Sequence, residues 1–172
     1  MDYWELKIAK MYRIVFLLLS SVIFISCSNK ADDSIDLPYY NNPDFTPIFI
    51  TNKLEVASKI KHTIGDFSFL NQDSILISQN VIEGKIHVAN FIFSTCGSIC
   101  PKMTTNLEDV QKAFANNPKV MLLSHTVFPE TDSVSVLKQY AIKHNVDGNK
   151  WNLVTGDKKE IYTMARKSYL AV

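Results

Sequence analysis

Between Lys85 and Phe114 the hydrophobic pattern of this chain changes period, and that change demands a strand, a turn and a helix in succession. Lys85–Phe93 reads KIHVANFIF, nearly continuous in apolar residues from Val88 onward. A short run of this kind after Gly84 predicts a buried central strand. Past Pro101 the apolar residues recur as Met103, Leu107, Val110 and Phe114, the stripe of an amphipathic helix. Pro101 suits the first helical turn, where its missing N–H costs nothing. Asn116-Asn117-Pro118 closes the helix.

The same reading extends along the chain. In HTIGDFSFLNQDSILISQ, His62 to Gln79, two short alternating runs flank Asn71-Gln72-Asp73, which predicts a hairpin. VMLLSHTV, Val120 to Val127, predicts a second buried strand. Asp132 is placed to cap a helix carrying Val134, Leu137 and Ala141. Trp151–Thr155 predicts a short strand, and Gly156-Asp157 opens a last helix with Asp157 and Glu160 at capping-box spacing. Strands alternating with helices of this length predict an α/β fold with a parallel or mixed central sheet.

Two cysteines, Cys96 and Cys100, fall between the strand end and the helix. Open α/β sheets place their reactive groups at such strand ends. A helix N-terminus favours negative charge and so lowers a thiol pKa. A thiolate pair four residues apart cycles with a disulfide or binds a soft cation, for which Cu(I) is the best match. Zinc asks for four ligands, and no second ligand pair at recognisable spacing is present. A structural disulfide closing a small loop, or two inert core thiols, are the plainer alternatives.

The N-terminus carries a separate message. Residues 14–26, IVFLLLSSVIFIS, are uncharged and follow Lys7, Lys10 and Arg13. Thirteen residues fall short of the roughly 20 that span a bilayer. A basic flank and an apolar run of this length form an export signal. Met11 offers an alternative start, with MYR directly before the run. Ile25-Ser26-Cys27 resembles a bacterial lipoprotein cleavage site, with Phe24 where Leu is usual. Cleavage there leaves Cys27 first, ready for lipid attachment. A plain signal peptide or short anchor is the alternative. The expectation is an exported lipoprotein, anchored to the cell membrane and facing the periplasm. Residues 27–62, polar and proline-bearing at their start, form a tether or extended arm. Tyr39, Tyr40 and Phe45 offer ways for part of it to pack on the domain.

A formal charge of +1 over 172 residues lacks the basic footprint of a nucleic-acid-binding protein. Without residues 1–26 the chain carries fifteen basic and fifteen acidic groups. Membrane attachment then rests on lipid and not on attraction to anionic headgroups.

FIFSTCGSICPKM, Phe91 to Met103, resembles the F-x-F-T-x-C-x-x-x-C-P-x-M core of the Sco/SenC copper chaperones. Thr105-Asn106-Leu107, Leu123-Ser124-His125-Thr126, Pro129-Glu130, Asp132, Tyr140, Trp151 and Thr155-Gly156-Asp157 follow in family order. The resemblance runs from about Thr63 to Val172. It implies a thioredoxin-like fold, copper held by Cys96, Cys100 and a histidine, and a part in assembling the dinuclear copper centre of cytochrome c oxidase. The partner it implies is the copper-site subunit of that oxidase, or another copper or thiol protein. Some family members act mainly as thiol-disulfide reductases, which makes the same pair a redox centre.

Two departures accompany the resemblance. The family's histidine ligand lies beyond the helix that here ends near Tyr169, so the domain 63–172 reads as incomplete, lacking its C-terminal part. A truncated product, a fragment, a frameshift or a non-functional remnant each fit that reading. Also, Phe128 stands where the family usually has an acidic residue before the proline of its D-P-E-x-D stretch. Among His62, His87, His125 and His144, His125 is the candidate substitute ligand, because its strand should lie beside the strand leading to Cys96. His87 and His144 read as surface residues.

Overall fold

The structure, a computed structural model, describes Trp4 and residues 37–171. The apolar run 14–26, Cys27 and the stretch 28–36 lie outside the described residues. Among the described residues, no helix is long and apolar enough to cross a membrane.

The hairpin turns where expected, and Asn71 is the reason. Its buried side-chain oxygen accepts from the backbone N–H groups of Asp73 and Ile75, both at 2.9 Å. Ser74 takes a positive φ of 61° to complete the turn. This joins β1 (Ser68–Asn71) to β2 (Leu76–Ser78) in an antiparallel pair.

After β2 come β3 (Ile86–Ile92), α2 (Ile99–Ala113), β4 (Val120–Thr126), α3 (Val134–Lys143), β5 (Trp151–Thr155) and α4 (Lys158–Lys167). A four-residue helix, α1 (Val56–Lys59), precedes the sheet. The strand order is β2-β1-β5-β4-β3. β4 runs parallel to both β3 and β5, while β1 runs antiparallel to β5, so the sheet is mixed.

Both faces of the sheet are covered, which is why β4 is buried at all seven positions. On one face Ile92, Leu122, Trp151 and Leu153 pack with Leu107 of α2 and Leu137 and Ala141 of α3. On the other, Phe67, Phe69, Leu123 and Val154 pack with Ile161 and Met164 of α4. Alternation along β4 sends Leu122 and Ser124 to the first face and Leu123 and His125 to the second. Gly156 lets β5 pass close under the hairpin: a Cβ there would sit 2.6 Å from Phe69 Cδ1.

Three local expectations need correction. Lys85–Phe93 was expected as a central strand, but β3 lies at the sheet edge among the described residues and only Ile92 is fully buried. β3 pairs on one side only, with β4. Its apolar run reflects cover from both layers, which sequence cannot distinguish from a central position. Asp132 does not cap α3. Ser133 does, accepting from Val136 N at 3.4 Å. Phe114, the last residue of the expected stripe, ends α2 and is 42% exposed. The buried side of α2 instead includes Thr104 and Gln111. Gln111 accepts from Asp147 N and donates to Asn145 O, tying α2 to the turn after α3.

Of the expected tether, residues 37–62 are more structured than an extended arm. Tyr39 and Ile48 form a bridge, and the Asn41 side chain bonds Lys59 O, Lys61 N and His62 N. His62 Nε2 donates to Ser168 O at 2.9 Å, fastening this segment beside the end of α4.

Candidate functional site

The site is built at the C-terminal end of β3. Phe93 follows the last strand residue, and Cys96 N donates back to Phe93 O at 3.2 Å, which turns the chain. Gly97 and Ser98 carry it to α2, where Ile99, Cys100 and Pro101 are the first three residues. The helix therefore begins two residues before Pro101. A proline within the first turn sacrifices no intrahelical bond.

Within this loop the two thiols differ. Cys96 is half-buried and Cys100 is buried. The Cys96 thiol is held below its ordinary pKa, first by a hydrogen bond from Cys100 and then by the backbone N–H groups of Ser98, Cys100 and Ile99. These N–H groups stand at the start of α2, where a helix leaves its backbone donors without intrahelical partners. Cys100 is pushed up, first by burial and then by its neighbour Cys96. A helix N-terminus was expected to favour both thiolates. It does so for Cys96, while burial outweighs it at Cys100. The arrangement is an outer thiol that gives up its proton more readily beside a buried thiol that holds its proton more tightly.

A buried carboxylate fixes the loop. Asp132 is fully buried and accepts from Ser94 N at 3.2 Å, from Ser94 Oγ, and from Thr126 Oγ1 at 2.5 Å. Asp132 N in turn donates to Phe128 O at 2.9 Å. The loop after β4 is thus bolted to the loop that carries Cys96. Sequence reading assigned Asp132 to a helix cap. Its spacing after Thr126 gave no sign of a partner 38 residues away. The pairing of Thr104 with Tyr140, a residue noted only for its place in the family order, gave no local signal either. Thr104 Oγ1 and Tyr140 Oη lie 2.7 Å apart, one turn along α2 from Cys100. Burial raises the Tyr140 pKa, and both cysteines and Asp132 are close enough to add to it.

The histidines do not converge on the thiols. His125 is register partner to Phe91 and faces the α4 layer, whereas α2 covers the opposite face. Its ring is fully buried among Phe67, Phe69, Phe91 and Tyr169, with no hydrogen-bond partner on either nitrogen among the described residues. This corrects the expectation of a substitute ligand: adjacent strands do bring His125 beside β3, but alternation turns it to the wrong side. His144 is not a surface residue either; its Nδ1 lies 3.1 Å from Glu108 Oε1, and both side chains are largely covered. His87 is half-buried against Tyr169. No cluster of three or more His, Cys, Asp or Glu side chains suited to a metal occurs among the described residues. Two sulfurs four residues apart suit a soft monovalent cation better than zinc or a hard cation.

Residues 55–172 match the SCO1/SenC family. The SCO1 protein homolog of Bacillus subtilis (strain 168) is 33% identical over 120 residues, covering 69% of this chain and 62% of that protein. The structure of BsSco, a member of the Sco family of cytochrome c oxidase assembly proteins with a disulfide switch, is similar with a TM-score of 0.58. It is 35% identical, over 64% of this chain and 66% of its own. Arabidopsis thaliana ScoI, solved with copper bound, is 27% identical with a TM-score of 0.51, over 61% of this chain and 65% of its own. This chain thus spans just under two thirds of the length of these relatives. The fold is thioredoxin-like, as the resemblance implied and as the structural relatives show. With more than half of its length matched, the chain belongs to the SCO1/SenC family.

Proposed function

We propose that this chain is a copper-handling protein, anchored by lipid at Cys27 to the outer side of the cytoplasmic membrane, that holds Cu(I) between Cys96 and Cys100. Its task on this reading is assembly of the dinuclear copper centre of cytochrome c oxidase. The observation that carries it is the sulfur pair itself: a thiolate-favouring Cys96 and a nearby Cys100 at a strand-helix junction. Two thiolates are a soft donor set that selects Cu(I). Binding requires Cys100 to release its proton, so affinity rises with pH. Copper bound to a relative of the same fold supports the same direction.

The test is an anaerobic titration of the reduced full chain with Cu(I) against a chromophoric chelator. One equivalent is expected, falling to none in Cys96→Ser and Cys100→Ser. Absence of binding in the unmodified chain refutes the reading. Membrane attachment is tested by fractionation: Cys27→Ala should move the protein out of the membrane fraction.

The unlike thiols favour a second reading, thiol-disulfide exchange without metal. In that case Cys96 attacks and Cys100 resolves. A Cys100→Ser variant should then accumulate mixed disulfides through Cys96 in cells, and none should form if metal handling is the sole role.

A further inference from the structure

The segments that flank Cys96 carry no charge until Lys102, in the first turn of α2, and Glu130, after β4. From Phe93 to Pro101 the two thiols are the only ionisable side chains, and Val127, Phe128 and Pro129 add none. Three large apolar side chains of these segments stand in solvent: Phe93 is 37% exposed, Phe128 46% and Ile99 72%.

Backbone geometry brings these segments together. Ile92 and Thr126 are register partners at the ends of β3 and β4, and Val127 N donates to Ile92 O at 2.8 Å. Phe93 and Phe128 therefore leave adjacent strand ends. Asp132 ties the two loops, bonding Ser94 through its carboxylate and Phe128 O through its N–H. Ile99 opens α2 one residue before Cys100. The charge beside Phe128 is already paired: Lys158 Nζ lies 5.4 Å from the Phe128 ring centroid and 2.9 Å from Glu130 Oε1.

Single exposed apolar side chains are ordinary on a protein surface. Here three of them stand on the loop that carries Cys96, the helix turn that follows it and the loop tied to it, with no charge between Phe93 and Pro101 or between Val127 and Pro129. Cys96 is the outer sulfur and Cys100 the buried one. A macromolecule that exchanges a disulfide or a sulfur-held metal ion with this pair must bring its own sulfur to Cys96. The residues flanking that sulfur then lie on this rim, and contact there favours apolar groups that lose no charge hydration.

We propose that Phe93, Ile99 and Phe128 form a docking rim for a partner protein whose reactive cysteine is flanked by apolar, uncharged residues. The proposal rests on the reading of Cys96 and Cys100 as the working pair. For a disulfide partner the step is balanced as follows. The Cys96 thiolate attacks one partner sulfur, the partner S–S bond breaks, and the other partner sulfur leaves as thiolate. Cys100 then loses its proton to solvent and attacks Cys96 Sγ, which closes the intrachain disulfide and releases the second partner thiolate. Two electrons pass from this chain to the partner, whose thiolates take protons from solvent.

The test uses the reduced, copper-free full chain in mild detergent. Its second-order rate constants are measured with two peptide disulfides, one with Leu and Phe around the cysteines and one with Asp and Glu. The apolar peptide should react about tenfold faster, the equivalent of roughly 1.4 kcal/mol in the transition state. The double variant Ile99→Glu, Phe128→Glu should lose that preference. Ile99→Ala, Phe128→Ala, which adds no charge, should lose about half of it on a logarithmic scale, with near-ultraviolet circular dichroism confirming that both variants fold. Equal rates for the two peptides, no exchange with either, or a preference that survives both double variants overturns the rim. The Cu(I) titration is scored on the same preparation. Its failure strikes the reading of function, while failure of the peptide preference strikes the rim alone.

Discussion

The carboxylate of Asp132 receives both the backbone N–H and the hydroxyl of Ser94, although the two residues stand 38 positions apart. Ser94 lies two residues before Cys96, so this contact sets the path of the thiol-bearing loop. Thr126 completes the carboxylate's partners, and no solvent reaches it.

Removing that carboxylate leaves buried donors without an acceptor. Asp132→Ala should lower stability by roughly 3 kcal/mol, since bonds to a charged group contribute about 1.5–3 kcal/mol each and the orphaned donors add their desolvation cost. Ser94→Ala keeps the backbone bond and should cost only about 1 kcal/mol. Urea denaturation measures both. A cost for Asp132→Ala no larger than that of Ser94→Ala would show that the carboxylate does not hold the loops together.

Asp157 gives the matching control. Its side chain accepts from Glu160 N at 2.9 Å and caps α4. Asp157→Ala should cost about 1 kcal/mol, the usual loss for a helix cap. It should leave the alkylation rate of Cys96 unchanged, because α4 covers the face of the sheet opposite α2.

The unlike thiols predict unlike reactivity. At neutral pH iodoacetamide should modify Cys96 at least about tenfold faster than Cys100, since the thiolate is the nucleophile and Cys100 is buried. In Cys100→Ala the Cys96 pH-rate profile should shift to higher pH, because the hydrogen bond from Cys100 is the largest cause of its lowered pKa. Mass spectrometry of the alkylated peptides reads the first outcome and the pH-rate profile the second. An unmoved profile would assign the lowered pKa to the helix N–H groups alone.

His125 should make the fold acid-sensitive. Burial, with a smaller contribution from His87, lowers its pKa from 6.5 to about 4. The folded state therefore keeps the ring neutral while the unfolded chain protonates it. The unfolded state binds more protons between these values, so stability is complete above about pH 6.5 and falls as pH drops toward 4. The full loss is on the order of 3 kcal/mol at 1.36 kcal/mol per unit. His125→Phe removes the titrating group and two unpartnered ring nitrogens from an aromatic pocket. It should flatten the decline, with a larger gain at pH 5 than at pH 7.5 in thermal unfolding. A slope unchanged by the substitution would place the acid sensitivity elsewhere.

Much of this fold is legible residue by residue. The hairpin at Asn71, the strands Val120–Thr126 and Trp151–Thr155, and the Asp157 cap all follow from local pattern. The departures share one cause. Asp132 reads as a cap because its true partner, Ser94, is remote in sequence. Phe114 reads as core because a stripe does not reveal where the covering layer stops. β3 reads as central because an apolar run does not report strand order.

For the site, the sequence by itself determined that two thiols stand between a strand end and a helix start, because hydrophobic period, the proline and the cysteine spacing are all local. Only the tertiary structure decided which thiol ionises more readily, which carboxylate holds the loop, and that His125 faces the other layer. Those outcomes depend on which element covers which face, and on burial and alternation across paired strands, which no local spacing encodes.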